Sequence, residues 1–358
     1  MSSNYDLKAS SARAAQAPEL DYSPPKPDKL VPKIGMIACG GITEHHCKAY
    51  VAAGWDVVAF YDRNKEKAEK RQRAFYPDAR ICDTVGELLA IPEINVVDIA
   101  THPDVRGPLI EAAIRSGKHI LSQKPFVLDL KEGERLVESA RAAGVSLAVN
   151  QNGRWAPYFH YLRKVVRSGL IGEVGSVSIS INWDHTWTAG TAFESIHHLV
   201  LYDFGIHWFD AAFSFFGGAP AKSVFATVRQ APGQPIKPPL LATAIVAFDT
   251  GIATLNFNGC SCFSQLESCT IIGSKGTLRA VGGVCSANAI EVTTEAGTAK
   301  VDLQGAWFHD GFRGTMGELL RSVEQGRDPE NSAADNLRSL AICFGAMKSA
   351  DEGRIVAL

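Results

Sequence analysis

Residues 34–62 read IGMIACGGITEHHCKAYVAAGWDVVAFYD and contain a strand, a glycine turn, a helix and a second strand in close succession. The apolar pattern predicts strands over Ile34–Ala38 and Asp56–Tyr61, with a helix over Ile42–Ala53 between them. Both strand runs lack polar alternation, which is typical of strands buried on both faces of a parallel sheet. The stretch therefore predicts the first β-α-β unit of an α/β domain.

The same alternation of strands and helices continues to about residue 150 and then changes character. It predicts a doubly wound parallel sheet over residues 33–153. Strands of alternating polarity, separated by turns such as Asp249-Thr250-Gly251, then predict an α+β domain with a large, mainly antiparallel sheet over residues 154–358. Residues 1–32 are rich in Ala, Ser and Pro and predict an extended arm, which is either a passive tail or a segment that reaches over a neighbouring subunit.

The composition excludes several classes of partner. The 358 residues are 46% hydrophobic and 21% charged, which is typical of a soluble globular protein of about two domains. A net charge of -2 gives no general attraction to nucleic acid or to an anionic membrane, so we expect a small-molecule ligand. We find no apolar run long enough for a membrane span and no signal peptide. The eight cysteines are scattered without a CxxC pair, so we expect reduced thiols and a cytoplasmic location.

The turn Cys39–Ile42 follows the first strand, where a dinucleotide-binding domain places its glycine-rich loop. Glycines there let the backbone approach a pyrophosphate, and the helix that follows supplies N–H donors. Asp62, at the end of the second strand, is the type of residue that accepts hydrogen bonds from an adenosine ribose. Asp62 favours NAD, whereas the adjacent Arg63 would attract the 2′-phosphate of NADP. An ordinary strand-to-helix turn, with Asp62 or Asn64 capping the next helix, explains the same residues.

Two further places carry residue types that suit proton transfer. Lys124 lies at the predicted end of the fifth strand, the edge at which ligands bind in parallel sheets. Asp203 and His207 are four residues apart, so on a helix they share a face, and the carboxylate would raise the basicity of the imidazole. Each place has a plain alternative, which is a surface lysine in the first case and an N-cap aspartate followed by an unrelated histidine in the second.

Residues 33–358 resemble the glucose-fructose oxidoreductase/inositol dehydrogenase (Gfo/Idh/MocA) family. The resemblance is carried by the nucleotide turn Ile37–Ile42, the GKHILSQKP segment Gly117–Pro125, the GLIGEV segment Gly169–Val174 and the D-x-G-x-H-x-x-D segment Asp203–Asp210. Two positions depart from the family pattern, since Ala38 replaces the first glycine of the turn and Gln123 stands where many members have Glu. The resemblance implies an N-terminal Rossmann domain and a C-terminal substrate domain.

The resemblance also implies roles for single residues. Lys124 would hydrogen-bond the reacting hydroxyl or carbonyl, His207 would be the general acid/base, and Asp203 would bind substrate and orient the cluster. The expected cofactor-binding residues are Cys39, Gly40, Gly41, Ile42, Asp62, Arg63, Thr101, His102, Pro103, Gln123, Lys124 and Gln151. The expected substrate-binding residues are Lys124, Asn152, Arg154, Asp184, His185, Asp203 and His207.

The resemblance predicts an NAD(P)-dependent oxidoreductase that transfers a hydride between nicotinamide and a secondary alcohol or ketone of a sugar, inositol or sugar derivative. Two alternatives stay open, an NAD-dependent glycoside hydrolase that recycles its cofactor and a non-enzymatic sensor of dinucleotide or sugar. We expect a homodimer or homotetramer that covers the outer face of the second sheet, and no metal site.

Three further side chains near these segments have no assigned role. Arg106 follows the loop after the fourth strand and could reach the cleft, but a solvated arginine at the start of a helix is the favoured interpretation. His45 and His46 are predicted to pack or to face solvent.

Overall fold

The computed structural model describes residues 13–358, which form two β-sheets with helices packed on them. The strands of the first sheet are β1 (Lys33–Ile37), β2 (Asp56–Tyr61), β3 (Arg80–Ile81), β4 (Val96–Ile99), β5 (His119–Ser122) and β6 (Leu147–Val149). They are all parallel and lie in the spatial order β3-β2-β1-β4-β5-β6. The predicted doubly wound parallel sheet is confirmed.

Helices connect the strands of the first sheet. They are α1 (Thr43–Ala53), α2 (Lys65–Phe75), α3 (Val85–Leu89), α4 (Arg106–Arg115) and α5 (Leu130–Ala142). The chain leaves β1 toward β2 on one side and later returns to the other side of β1 as β4. This reversal opens a crevice beyond the carboxyl ends of β1 and β4, which is where open α/β sheets bind ligands.

The second sheet has nine strands within the described residues, and among these only β7 and β10 run parallel to each other. Its strands are β7 (Val174–Asn182), β8 (Ala221–Arg229), β9 (Leu241–Phe248), β10 (Ile252–Asn258), β11 (Leu266–Gly273), β12 (Gly276–Gly283), β13 (Ser286–Thr294), β14 (Gly297–Val301) and β15 (Val356–Ala357). The helices α6 (Pro157–Arg167), α7 (Ile206–Phe215) and α9 (Ala333–Glu352) pack on one of its faces. The predicted large, mainly antiparallel sheet is confirmed; the short strand β15 is an addition that the sequence pattern did not predict.

Helix α8 (Trp307–Gln325) carries Gly311 and Gly314 in its N-terminal half. Gly311 and Gly314 resemble helix breakers in the sequence, but in the structure they permit close packing. A Cβ at Gly311 would lie 2.6 Å from the carbonyl oxygen of Asn152, and one at Gly314 would collide with the Trp155 side chain. Although it follows the second sheet in sequence, α8 packs against α1 and shares a core with β1.

The described part of the predicted arm, residues 13–32, packs on its own chain. The Ala15 N–H donates to the Thr298 carbonyl at 3.0 Å, and His160 Nδ1 lies 2.6 Å from the Tyr22 carbonyl oxygen. Farther along, the carboxylate of Glu324 accepts the backbone N–H groups of residues 28–30. Residues 1–12, where the rest of the predicted arm falls, lie outside the described residues.

No helix within residues 13–358 is both long and apolar enough to cross a membrane. All eight cysteines fall in the described part of the chain, and each is a free thiol.

Candidate active site

The turn after β1 presents bare backbone to open space. Ala38 has a φ of 75°, a left-handed conformation that costs an L-residue roughly 1–2 kcal/mol and favours glycine. A Cβ added at Gly40 or Gly41 would meet no atom within 4 Å. The first turn of α1 follows, and its N-cap residue Ile42 supplies no side-chain cap. The turn therefore has room for a pyrophosphate beside free N–H donors.

Asp62 lies at the end of β2 and is joined to this turn. Its Oδ2 accepts the Cys39 N–H at 2.7 Å, and its Oδ1 accepts the Asn64 N–H at 2.8 Å. The cap of α2 is the side chain of Asn64, which accepts the Glu66 N–H. Asp62 is therefore not needed as the helix cap, and its half-buried carboxylate borders the crevice, while Arg63 is exposed beside it.

Arg71 of α2 is hydrogen-bonded to the same turn and is not among the predicted site residues. Its Nη2 donates to the Gly40 carbonyl oxygen at 2.9 Å, and its Nη1 lies 3.3 Å from Glu44. An arginine in the middle of a polar helix carries no sequence signal for this role, because the contact depends on how α2 packs against α1.

Lys124 and Asp203 are in contact. Lys124 Nζ donates to the Asp203 carbonyl oxygen at 2.7 Å and lies 3.5 Å from its carboxylate Oδ1. The two side chains keep 18% and 17% of their surface exposed, so both are accessible from the crevice. The two residues are 79 positions apart in the sequence, and the fold brings them together at the carboxyl end of β5.

The expected hydrogen-bonded pair of Asp203 and His207 does not form within the described residues, so this prediction was wrong. Asp203 lies in a π-helical turn, Val200–Phe204, and α7 begins only at Ile206. The change in helical period between them removes the i, i+4 register on which the prediction rested. The Asp203 carboxylate faces Lys124 instead.

Gly205 explains the glycine of the D-x-G-x-H segment. A Cβ there would lie 2.7 Å from the carbonyl oxygens of Val200 and Leu201. Only glycine fits between these backbone oxygens, so the π-turn and the position of Asp203 depend on it.

His207 has a neutral imidazole at neutral pH. Burial first, and then the positive charge of Lys124, hold the pKa of His207 well below its ordinary value. Its Nδ1 is buried and has no hydrogen-bond partner in residues 13–358. The ring meets Trp307 edge-on at 5.6 Å between centroids. A neutral imidazole with an unused nitrogen can accept or donate a proton.

His185 is a second neutral imidazole near Lys124. Burial, opposed in part by Asp184 and assisted by Lys124, lowers the pKa of His185 to about 4. Its ring stacks on Phe204 with 3.7 Å between centroids, and its Nδ1 also lacks a partner among the described residues. Asp184 turns back on its own loop, where its Oδ1 accepts the Thr186 hydroxyl at 2.6 Å.

Aromatic side chains surround His185 and form a wall. Its members are Trp183, Trp187, Phe193 and Phe204. Trp187 is exposed over 56% of its surface, so this wall ends in an open aromatic face.

Arg154 and Asn152, both expected to bind substrate, differ in their surroundings, and only Asn152 lies beside Trp307, the ring that meets His207. The Arg154 guanidinium is 4% exposed and donates to the Asp210 carboxylate at 2.6 and 2.7 Å, with Asp335 at 2.7 Å. Asn152 is buried, and its Oδ1 accepts the Trp307 indole N–H at 3.3 Å. The Arg154 side chain therefore has its partners inside the protein, and Asp210 of the D-x-G-x-H-x-x-D segment is one of them, whereas substrate binding by Asn152 stays a prediction.

Residues at the ends of β4 and β6 complete the crevice. The Gln151 carboxamide is buried, and neither its oxygen nor its nitrogen has a partner in residues 13–358. The buried hydroxyl of Thr101 likewise has none. His102 is exposed, and Pro103 begins a short 3₁₀ turn. Buried polar groups without partners are costly, so these atoms are suited to meet a ligand.

Arg106 is buried, so the expectation of a solvated side chain was wrong. It is 1% exposed, and its Nη1 donates to the Gln123 carbonyl oxygen at 2.6 Å. The same guanidinium also contacts the carbonyl oxygens of Thr101, Pro125 and Phe126. It ties the loops after β4 and β5 together and so fixes the backbone around Lys124.

Potential metal ligands gather at a different place. His197, His198 and Asp351 approach one another within 4.8 Å, and both imidazoles contact the Asp351 carboxylate at 2.8–3.1 Å. Hydrogen bonds between these groups account for the arrangement.

Two family models match the chain, an oxidoreductase family with an NAD-binding Rossmann fold over residues 32–151 and the GFO/IDH/MocA C-terminal domain over residues 159–279. A D-apiose dehydrogenase of Paraburkholderia graminis is 27% identical over 91% of this chain and 89% of its own length. An inositol 2-dehydrogenase of Rhizobium meliloti is 26% identical over 91% and 99%. A crystal structure of an Agrobacterium radiobacter oxidoreductase in complex with NAD+, L-tartaric acid and magnesium superimposes with a TM-score of 0.82, 23% identity and coverage of 92% and 98%.

Proposed function

The chain belongs to the Gfo/Idh/MocA oxidoreductase family, and we propose that it is an NAD(P)-dependent dehydrogenase that interconverts a secondary alcohol and a ketone on a sugar, inositol or sugar derivative. The curated relatives named as dehydrogenases of a sugar and of an inositol support this substrate class. The first domain is an NAD-binding Rossmann domain.

One observation carries the proposal. Several of the polar atoms that are buried and unpartnered within residues 13–358 lie on the segments that meet at Lys124. They are the Gln151 carboxamide, the Thr101 hydroxyl and Nδ1 of His185 and of His207. A site that binds two polar ligands, a nicotinamide carboxamide and a hydroxylated substrate, would satisfy such atoms.

The residues of the cluster divide the work of proton transfer. Lys124 Nζ is placed to hydrogen-bond the reacting oxygen, and Asp203 contacts that ammonium group through its carbonyl oxygen and its carboxylate. His207 enters as a neutral base, because burial and Lys124 keep its pKa low, and it takes the hydroxyl proton when the alcohol is oxidised. When bound, the nicotinamide ring supplies the hydride acceptor or donor.

The dinucleotide fits the first half of the crevice. Gly40 and Gly41 leave space for the pyrophosphate, and Asp62 offers a carboxylate to the ribose. A carboxylate there repels a 2′-phosphate, so we favour NAD over NADP; exposed Arg63 would instead favour NADP.

The aromatic wall fits the substrate side. Sugars and inositols pair hydroxyl groups with apolar C–H faces, and such faces stack on exposed aromatic rings like that of Trp187. The two neutral histidines then offer hydrogen bonds to hydroxyl groups without selecting for a charged substrate.

The test is a panel of sugars, inositols and their keto derivatives, assayed with NAD+ and with NADP+ at the reduced-nicotinamide absorbance band. We expect turnover with at least one substrate, and a loss of about a hundredfold or more in kcat for His207→Gln, since general acid/base groups contribute about that much. Exposed His309→Gln is the matched control and should leave kcat unchanged. Tight NAD binding without turnover would support a sensor, and release of sugar from glycosides without net reduction would support a glycoside hydrolase.

A further inference from the structure

A chain of buried hydrogen bonds runs beneath Lys124. His46 of α1 and Asp98 of β4 are both fully buried, with 2.7 Å between Nδ1 and Oδ2. The Tyr50 hydroxyl donates to the same carboxylate oxygen at 2.6 Å. Burial and the neighbouring carboxylate raise the pKa of Tyr50 well above its ordinary value, so this hydroxyl keeps its proton. Nothing in the proposed reaction uses these groups directly.

The backbone of Lys124 determines where the protons lie in this chain. Its N–H must donate, and it donates to Gln123 Oε1 at 2.7 Å. The other end of that carboxamide is therefore the NH₂ group, and it faces His46 Nε2 at 3.1 Å. Because an NH₂ group can only donate, His46 Nε2 must be the unprotonated, accepting nitrogen.

Asn150 fits the same tautomer. Its Nδ2 lies 3.3 Å from His46 Nε2, and its Oδ1 lies 2.8 Å from the Thr315 hydroxyl, which also lies 3.1 Å from the Phe312 carbonyl oxygen. Two amide donors thus converge on one imidazole nitrogen. The remaining proton of the neutral ring must sit on Nδ1, which donates it to Asp98.

We propose that His46, held as the neutral Nδ1–H tautomer by Asp98, is a positioning residue that sets the Gln123 carboxamide and through it the backbone of Lys124. In this arrangement the carboxylate beside the imidazole belongs to residue 98, and residue 123 must be an amide. The inference rests on the proposed function for its effect on catalysis, but the tautomer of His46 does not.

This arrangement gives a reason for glutamine in the GKHILSQKP segment. In Gln123→Glu the new carboxylate would still accept the Lys124 N–H, but its second oxygen would face the lone pair of His46 Nε2. The His46 ring would then have to carry protons on both nitrogens, between two buried carboxylates. Otherwise it would lose its hydrogen bond to Asp98. Either change shifts the groups that hold Lys124 in place.

The first test is the ¹⁵N spectrum of the histidine rings in the full-length protein without added ligand, with His46 assigned through His46→Gln. We expect a protonated Nδ1 and an unprotonated Nε2. His119 is the internal reference of opposite tautomer, because its Nδ1 accepts the Ser146 N–H at 3.0 Å. A His46 ring with its proton on Nε2, or on both nitrogens, overturns the proposal whatever the activity of the enzyme.

The second test is a cycle of Gln123→Glu, Asp98→Asn and the double variant, with NAD binding measured to show that each variant is folded. Gln123→Glu should lower kcat by about a hundredfold with little change in KM, since a displaced catalytic group costs about that much. The double variant can invert the ring, with Nε2–H donating to the new carboxylate and Nδ1 accepting from the new amide, and should recover about tenfold or more over Gln123→Glu. Wild-type kcat in Gln123→Glu, or no recovery in a double variant that still binds NAD, contradicts the proposal.

Discussion

Lys124 places its positive charge between two imidazoles that the protein keeps neutral. For both His185 and His207, burial is the larger cause of the lowered pKa, and the charge of Lys124 adds to it. The carboxylate of Asp203 balances the lysine without touching His207. The site therefore holds one ion pair and two uncharged proton acceptors, which suits recognition of hydroxyl groups.

Replacement of Lys124 should change the titration of His207. In Lys124→Met the neighbouring cation is lost while a side chain of similar length remains, so the pKa of His207 should rise toward its ordinary value yet stay below it, because burial persists. The measurement is the ring-proton shift of His207 against pH by NMR. Lys222→Met, on an exposed ion pair with Asp249, is the control and should leave that titration unchanged. An unaltered His207 titration in Lys124→Met would show that the charge of Lys124 does not affect the pKa of His207.

For single residues, the sequence predicted the site residues that lie in motifs. It did not predict the residues whose roles depend on contacts between distant parts of the chain. Lys124, Asp203 and His207 could be identified because they lie in short segments with a family resemblance. The ion pair of Arg154 with Asp210 and the buried ring of His46 could not, since their partners lie on other elements. A polar side chain in a sequence does not show whether its hydrogen bonds will be made to the protein or to a ligand.

Among the elements, the π-turn Val200–Phe204 matters most for the site. It rotates Asp203 away from His207 and toward Lys124, and it depends on the absence of a side chain at Gly205. The spacing of Asp203 and His207 predicted a shared face of one helix, because a single turn of different period leaves no trace in the apolar pattern.

Gly205→Ala should disturb this turn. Its Cβ would lie 2.7 Å from two carbonyl oxygens, so the backbone must shift, at a cost of about 1–3 kcal/mol in the free energy of unfolding and a large loss of kcat. Urea denaturation and steady-state kinetics measure both. Gly86→Ala in α3 is the matched control, since its Cβ meets nothing closer than 3.8 Å and should be neutral or slightly stabilising. A Gly205→Ala variant with wild-type stability and kcat would show that the turn does not need glycine.

In the molecule as a whole, neutral buried histidines link stability to pH. Burial lowers the pKa of His160 to about 3 and that of His185 to about 4. The unfolded chain protonates these rings near their ordinary pKa of about 6.5, so between that pH and 4 it binds more protons than the folded chain. Stability is therefore full above about pH 6.5 and falls as the pH drops through this window.

Each of these histidines should add at most about 1.4 kcal/mol per pH unit to the slope with which the free energy of unfolding falls as the pH drops. Urea denaturation between pH 7 and 4.5 measures the slope. His160→Gln should flatten it, because the glutamine does not titrate but still donates to the Tyr22 carbonyl, whereas exposed His309→Gln should not. An equal slope in His160→Gln and the wild-type protein would mean that His160 is not a neutral buried group.

Exposed apolar side chains on the outer face of the second sheet indicate self-association. Phe225 and Ile245 lie opposite each other on β8 and β9, Ile252 and Ile272 lie in the next rows, and all four are 37–49% exposed. Serine and threonine side chains such as Ser176 and Thr254 lie between them, and exposed large apolar side chains on one sheet face favour a symmetric partner. We expect a homodimer or homotetramer by light scattering, and dissociation in Ile245→Asp. Leu128→Asp, at an exposed leucine beyond the sheet, is the control; a monomeric wild-type protein at micromolar concentration would contradict the expectation.

The central claim is that Lys124 and His207 serve one bound nicotinamide and one hydroxyl group. Its most direct test is a single turnover in a stopped-flow instrument, in which enzyme loaded with NAD+ meets a substrate that carries deuterium on the reacting carbon. We predict rapid nicotinamide reduction by the wild-type protein, slowed by deuterium, and a rate lower by about a hundredfold or more in Lys124→Met at unchanged NAD+ affinity. Reduction at the wild-type rate in Lys124→Met would contradict the account, and so would NAD+ that stays oxidised with every sugar and inositol.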